Sequence, residues 1–304
     1  MYDIVIVGAG PAGLSAAIYA QRAGKQALVL EALTYGGQII NTPDIRNYPG
    51  IAHISGVDFA TGLYEQAKAL GAQVKFQKVT GVEDRGETKV VRTSREEHPC
   101  RAVILATGAK NRPLGLDGEQ SLIGKGISYC ATCDGMFFRG REVAVNGGGN
   151  TALEDALFLS NYCARVTLIH RREGFRGSEE TLARLREREN VDFVLNANVT
   201  GLLAGEAGLR AVEVTDKHTG ETRELPVAAL FIAIGQVPDN TAFRELVTLD
   251  GQGYIAADES CETGRPGIFT AGDCRTKKVR QLTTAASDGA VAALAACEYI
   301  DRLG

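Results

Sequence analysis

Cys130 and Cys133 are the residues of this chain best suited to do chemistry: they stand three positions apart in Cys130-Ala131-Thr132-Cys133-Asp134-Gly135, with an acid directly after them. At a helix start this spacing puts the two sulfurs one turn apart, within reach of a disulfide, where a helix dipole favours a thiolate. Such a pair can cycle between disulfide and dithiol. The competing chemistry, one half of a zinc site, needs a second Cys or His pair at ligand spacing, and Cys100, Cys163, Cys261, Cys274 and Cys297 supply none. No metal is expected.

The cysteine pair lies between two Gly-rich turns of the kind that hold dinucleotides. Gly8-Ala9-Gly10-Pro11-Ala12-Gly13 follows the apolar run Ile4 to Val7 and opens a helical pattern from Leu14 to Ala23. Gly147-Gly148-Gly149-Asn150-Thr151-Ala152 follows Val143 to Val145 and opens another from Leu153 to Ser160. In each, glycines permit a tight turn and close backbone approach, and the helix start presents N–H groups to a pyrophosphate. One such pattern is weak evidence; its recurrence is what gives it weight.

The two copies differ where a nucleotide would be told apart. Each turn leads to a second strand pattern, Ala27 to Leu30 and Val166 to Ile169; Glu31 follows Gly8 by 23 positions, and His170 follows Gly147 by the same 23. An acid in that slot accepts hydrogen bonds from ribose hydroxyls, as in FAD or NAD, whereas His170-Arg171-Arg172 with Arg176 complements a 2′-phosphate. The contrast points to FAD at the first turn and NADPH at the second. Further along, Ser178 can cap a helix with Glu179 and Glu180 in its first turn, which makes Arg184, Arg186 and Arg188 ordinary surface residues.

The elements that must position these groups follow from the rest of the chain. Its 304 residues, 36 glycines and 44 % hydrophobic content suit two parallel-sheet nucleotide domains, and a formal charge of −4 opposes generic nucleic-acid binding. The first residues, interrupted by the Gly-rich turn, read as neither a signal peptide nor a membrane span, and seven cysteines in an acidic chain suit a reducing cytoplasm. Buried-strand runs ending at Gly108 and Gly235 are each followed by proline, Pro113 and Pro238, and mark crossings between domains. The expected fold is α/β, with two Rossmann-like domains, one inserted into the other. Residues 1–113 and 241–304 form the FAD-binding domain, and 114–240 the NADPH-binding domain that carries the cysteine pair. In the returning segment, Gly267 to Asp273 reads as strand, Gly turn and acid, before Arg280, Gln281 and an Ala-rich helix through Tyr299.

Over essentially its whole length the sequence resembles the low-molecular-weight bacterial thioredoxin reductases. The resemblance is carried by Gly8 to Gly13, Gly36-Gly37-Gln38, Asn47-Tyr48-Pro49-Gly50, Ala106-Thr107-Gly108, Cys130 to Gly135, Gly147 to Ala152, His170 to Arg176, Gly272-Asp273 and Arg280-Gln281. It implies bound FAD, an NADPH donor, a homodimer and thioredoxin as the protein acceptor. FAD would be held by Gly8, Gly10, Ala12, Gly13, Glu31, Gly37, Gln38, Asn47, Thr107, Gly108, Gly272, Asp273, Arg280 and Gln281. NADPH would be held by Gly147, Gly149, Asn150, Thr151, Ala152, His170, Arg171, Arg172 and Arg176. Cys133 would be the flavin-side sulfur, Cys130 the one that attacks thioredoxin, and Asp134 the acid/base. Met136 and Lys125 depart from the aromatic and Arg that some members carry there. Of Phe137 and Phe138, one is expected inside and one outside.

Because the cysteine pair and the NADPH turn fall in one domain and the flavin in the other, disulfide and nicotinamide must take turns at one flavin face. The expected device is rotation about the two crossings. A non-enzymatic nucleotide sensor would use both turns but leave the cysteine pair without a role.

Overall fold

The run Ile4 to Val7 forms the centre of the strand Tyr2–Val7 in the computed structural model, which describes residues 1–304. It lies parallel to Ala27–Glu31, with Ile4 opposite Ala27, and to Glu97–Leu105, with Tyr2 opposite Cys100. These strands sit inside a seven-stranded sheet in the order Gln73–Phe76, Ala27–Glu31, Tyr2–Val7, Glu97–Leu105, Thr88–Thr93, Val79–Arg85, with Ile268–Thr270 also paired to Glu97–Leu105. Alternate residues serve two cores, as a pleated strand requires. Ile4, Ile6, Val29 and Ile104 pack under the helices Pro11–Arg22 and Leu282–Arg302, while Val5, Leu28, Leu30 and Val103 pack with Phe243, Ile255 and Ile268 on the other face. With both faces covered, the strands are continuous runs of β-branched and leucine side chains. Truncating a fully buried residue such as Leu28 to Ala would cost about 2–5 kcal/mol.

A second compact unit comprises Asn111–Gln236; the first comprises Met1–Lys110 and Val237–Gly304. The divisions fall slightly before the expected ones after Pro113 and Asn240, at the crossing segments Ala109–Asn111 and Gln236–Pro238, which pair as short strands. The second unit has a five-stranded parallel sheet, ordered Val191–Val194, Arg165–Ile169, Glu142–Gly147, Ala229–Ala233, Ile127–Ser128, and a three-stranded antiparallel sheet of residues 197–226. Val143, Val145, Leu168 and Phe231 form its core with Leu153, Ala156 and Leu159 of the helix Asn150–Leu159.

In the mixed seven-stranded sheet and in the parallel five-stranded one, the chain order reverses beside the strand that delivers a Gly-rich turn: between Tyr2–Val7 and Glu97–Leu105 in one unit, and between Glu142–Gly147 and Ala229–Ala233 in the other. That reversal opens a crevice at the carboxyl ends of the strands, the place where doubly wound sheets bind ligands.

Candidate functional site

Cys130 and Cys133 are joined as a disulfide with a Cα separation of 5.3 Å. Cys130 caps a helix of a single turn, Ala131–Asp134, which runs straight into the 3-10 turn Gly135–Phe138. The dipole expected from a helix start is therefore small here. Burial and hydrogen bonding do more. Ala131 is buried against Ala152 and Ala156, fixing the turn on the helix Asn150–Leu159. Asp134 Oδ1 is buried without a hydrogen-bond partner, and Oδ2 takes a 2.6 Å hydrogen bond from Ser128 Oγ. Desolvation raises the Asp134 pKa above the usual carboxylate value, the Ser128 bond opposing it, so the group is disposed to hold a proton beside the sulfurs. Of the two aromatics that follow, Phe138 packs edge-on against Phe231 with centroids 5.8 Å apart, while Phe137 and Met136 are exposed.

Tyr129, adjacent to Cys130, donates a 2.5 Å hydrogen bond to Glu119 Oε1. Glu119 is 3 % exposed and also accepts the backbone N–H groups of Leu114, Gly115 and Leu116. One carboxylate thus ties the segment entering this unit to the strand end that bears the disulfide.

At the second Gly-rich turn the helix Asn150–Leu159 begins with no side-chain cap, so its first N–H groups are free for an anion. The loop from His170 to Ser178 wraps over that end. Arg176 N donates to Gly148 O at 2.8 Å, and Ser178 N donates to Asn150 Oδ1 at 2.8 Å; Ser178 also caps the helix Glu179–Arg186 as expected. A Cβ on Gly148 would lie 2.0 Å from the His170 ring, so only glycine fits over it. His170 is buried, stacks on Phe175 at 5.0 Å and is within 3.2 Å of Gly174 O; desolvation lowers its pKa. Expected alongside the arginines of the cationic cluster, it lies with its ring beneath the turn, where burial disfavours the charged form. The positive charge comes from Arg171, Arg172 and Arg176, all exposed, with Gly147, Gly149, Thr151 and Ala152 shaping the turn itself.

In the first unit, Gly8 has φ +110°, and a Cβ there would meet Ala106 O at 2.3 Å, where the neighbouring strand end carries Thr107 and Gly108. The helix Pro11–Arg22 starts at Gly10 without a side-chain cap. Glu31 accepts from Ala9 N and Leu33 N, both at 2.9 Å, which fixes its carboxylate at the turn and leaves further lone pairs for hydroxyls. Gln38, which follows Gly37 in a 3-10 turn, donates to Ala109 O, and Asn47 donates to Gln281 Oε1 at 3.3 Å. Gln281 caps the helix Leu282–Arg302 through a reciprocal bond with Thr284. Arg280 lies over the Tyr254 ring at 4.1 Å and donates to the carbonyls of Asp273, Arg275 and Lys277. Asp273 Oδ1 is buried and unpartnered, and desolvation raises its pKa. The residues expected around the first turn are thus brought together within one unit.

Sequence reasoning missed Ser128, Glu119, Asn240, Arg275 and Asp288. Asn240, 1 % exposed, accepts from Thr107 Oγ1 at 2.8 Å and donates to the carbonyls of Gly253 and Cys274. Asp288 alone left a legible signal, an acid on the apolar stripe shared by Ala285 and Ala292.

The family description "Pyridine nucleotide-disulphide oxidoreductase" matches residues 2–289. The chain is 40 % identical over 303 residues to the thioredoxin reductase of Bacillus subtilis, covering all of this chain and 96 % of that protein. It is 44 % identical over 303 residues to the thioredoxin reductase of Treponema pallidum, covering 99 % of this chain and 98 % of the relative. The crystal structure of thioredoxin reductase from Streptococcus pyogenes superposes with a TM-score of 0.95 at 37 % identity, covering 99 % of both chains. A redox disulfide beside a protonatable acid, set in a chain with two dinucleotide turns, is the chemistry that this likeness carries, and the chain belongs to the pyridine nucleotide-disulphide oxidoreductase family.

Proposed function

We propose that this protein is an NADPH-dependent thioredoxin-disulfide reductase with FAD at the first Gly-rich turn. The observation that carries the reading is the Cys130–Cys133 disulfide beside Asp134, whose Oδ1 is buried without a partner, in the same unit as a Gly-rich turn flanked by Arg171, Arg172 and Arg176.

The residues of the first unit fit a flavin dinucleotide. Asp273 Oδ1 is an unpartnered buried acceptor that needs a donor such as a sugar or ribityl hydroxyl, and Glu31 is placed to accept from ribose hydroxyls. The uncapped start of Pro11–Arg22 suits a pyrophosphate. When bound, flavin supplies two-electron transfer between a nicotinamide and a disulfide. In the second unit, Asn150 and Thr151 present the helix start to the NADPH pyrophosphate, the three arginines bind the 2′-phosphate, and His170 supports the turn from below.

In the reduced pair, Cys130 attacks a thioredoxin disulfide and forms a mixed disulfide, and Cys133 then displaces thioredoxin by attacking Cys130. Asp134 gives its proton to the first leaving thiolate of thioredoxin. The disulfide and the NADPH turn share one unit while the flavin turn belongs to the other, so the reading includes rotation about Ala109–Asn111 and Gln236–Pro238 between half-reactions. Exposed Met136 and Phe137 suit a protein acceptor. The reading also includes a homodimer, checked by sedimentation, and a reducing compartment, supported by five free thiols that are all buried. No helix is long and apolar enough to cross a membrane.

The test is anaerobic titration of the yellow protein with NADPH and NADH in parallel, followed by oxidised thioredoxin. Preferential bleaching by NADPH and reoxidation by thioredoxin are expected. A colourless protein, or one that bleaches without passing electrons to thioredoxin, would refute the assignment.

A further inference from the structure

Ser128 ends the strand Ile127–Ser128 and is 4 % exposed, so its hydroxyl must find its partners within the protein. Three are in place. Cys130 N donates to Ser128 Oγ at 3.0 Å, Asp134 Oδ2 lies 2.6 Å from the same oxygen, and Cys130 O lies 3.3 Å from it. A hydroxyl carries one proton and so makes one donation at a time. When Asp134 is a carboxylate, Ser128 donates to Oδ2. When Asp134 carries a proton on Oδ2, the acid donates to Ser128 Oγ, and the hydroxyl turns to donate to Cys130 O. In both states Cys130 N keeps its acceptor and Asp134 keeps its bond.

We propose that Ser128 is a positioning residue that holds Asp134 in either charge state, so that this acid can gain and release a proton beside the redox disulfide without leaving its place. The inference rests on the reductase reading given above. Reduction of the Cys130–Cys133 bond takes two electrons, ultimately from NADPH, and two protons, one ending on Cys133 and one on Asp134, with Cys130 left as thiolate. Cys130 then forms a bond to one thioredoxin sulfur, the thioredoxin disulfide breaks, and the leaving thiolate takes the Asp134 proton. Asp134 next accepts the Cys133 proton as Cys133 attacks Cys130, the Cys130–thioredoxin bond breaks, and that proton passes to the second thioredoxin thiolate. Asp134 thus changes charge four times in each catalytic cycle, and each change that involves Oδ2 requires the Ser128 hydroxyl to turn.

The other ionisable groups on the packed elements do not replace this contact. The helix Asn150–Leu159, on which the cysteine turn rests, carries exposed Glu154 and partly exposed Asp155, whose pKa burial raises to about 7. The Tyr162 hydroxyl lies over Gly135, where a Cβ would come within 2.2 Å of it, and its pKa is also raised by burial. Arg139 and Arg141 follow the 3-10 turn and form no ion pair with Asp134, whose only hydrogen-bonded side chain is Ser128.

The experiment titrates the Cys130–Cys133 potential of the FAD-loaded protein in dithiothreitol buffers from acid to alkaline pH, trapping thiols by alkylation and counting them by mass. A group that takes up a proton with the disulfide produces a break in the plot of potential against pH at its own pKa. Wild type is expected to show a break that D134N lacks. Removing a hydrogen bond that favours the carboxylate raises an acid's pKa, so S128A should move the break upward by about one pH unit or more, while S128T should restore it. If S128A does not fold, S128T and S128V provide the same comparison between a hydroxyl and a methyl of equal shape. A wild-type break at S128A, or at S128V, in a protein whose break depends on Asp134 would overturn the role of Ser128. A break that persists in D134N would instead remove Asp134 from the exchange and with it the reading on which the inference rests.

Discussion

Asp288 accepts the backbone N–H of Gly272 at 2.9 Å, placing a buried, hydrogen-bonded carboxylate against the residue that precedes Asp273, whose own Oδ1 has no partner. Asp288 also takes two hydrogen bonds from Arg275, at 2.8 and 2.9 Å, and one from Lys277 at 2.8 Å. Desolvation alone would raise its pKa, but these cations hold it below the usual carboxylate value. The pair anchors the turn that presents Asp273. Arg275 is 1 % exposed, so D288N would leave a buried guanidinium with only the exposed Glu259, 3.2 Å away, as counter-charge, a loss of about 3–5 kcal/mol. The sign with pH follows from the lowered pKa: this stabilisation is present above the unfolded value near 4 and is lost as pH falls through the folded value. Urea unfolding of D288N and wild type should therefore differ most at neutral pH, and the difference should shrink as pH falls below the unfolded value.

Asp273 is expected to behave in the opposite sense. Its carboxyl is desolvated and its pKa raised, so ionising it costs stability as pH rises from the unfolded value to the folded one. D273N should make the flavin-free protein more stable at neutral pH. It should also weaken FAD, because a hydrogen bond to a charged acceptor contributes about 1.5–3 kcal/mol. Thermal melts with and without FAD, together with flavin release by ultrafiltration, measure both; a variant that loses stability in the flavin-free form would contradict the assignment.

Arg171 and Arg172 are exposed in this structure, whereas His170 is buried and desolvation lowers its pKa, so nucleotide choice should depend on the arginines and the shape of the turn on the histidine. Replacing both arginines by Ala should raise KM for NADPH by roughly 10- to 100-fold for each bond lost while leaving NADH little changed. H170A should instead weaken both nucleotides together, since it removes the ring on which Gly148 rests. Steady-state kinetics with the two donors separates these patterns.

Cys130 and Cys133 should prove separable from the nucleotide sites. Neither sulfur takes part in shaping either Gly-rich turn, so C130S and C133S are expected to retain NADPH-driven reduction of small dyes at near wild-type rates. Thioredoxin turnover should fall by several orders of magnitude in both. Either variant still reducing thioredoxin at half the wild-type rate would exclude the relay.

Much of this molecule was legible in the chain because local patterns carry it. Continuous β-branched runs ending in glycine fix buried parallel strands, and the 23-position spacing places Glu31 and His170 in equivalent slots. The Cys-x-x-Cys spacing brings the sulfurs within reach of each other in any turn of helix. Tertiary structure decided what each group became. The second unit buries His170 under Gly148, which disfavours its charged form, and desolvation around the buried Oδ1 of Asp134 raises that acid's pKa. Ser128, Glu119, Asn240 and Arg275 stand in stretches that read as ordinary strand, loop or turn. Their partners Asp134, Tyr129, Thr107 and Asp288 lie 6 to 133 positions away, and hydrogen bonds across such separations leave no periodicity to read. Residue types and spacing determined which chemistry the chain carries; burial, which depends on the whole fold, decided the direction in which each group's proton affinity moves.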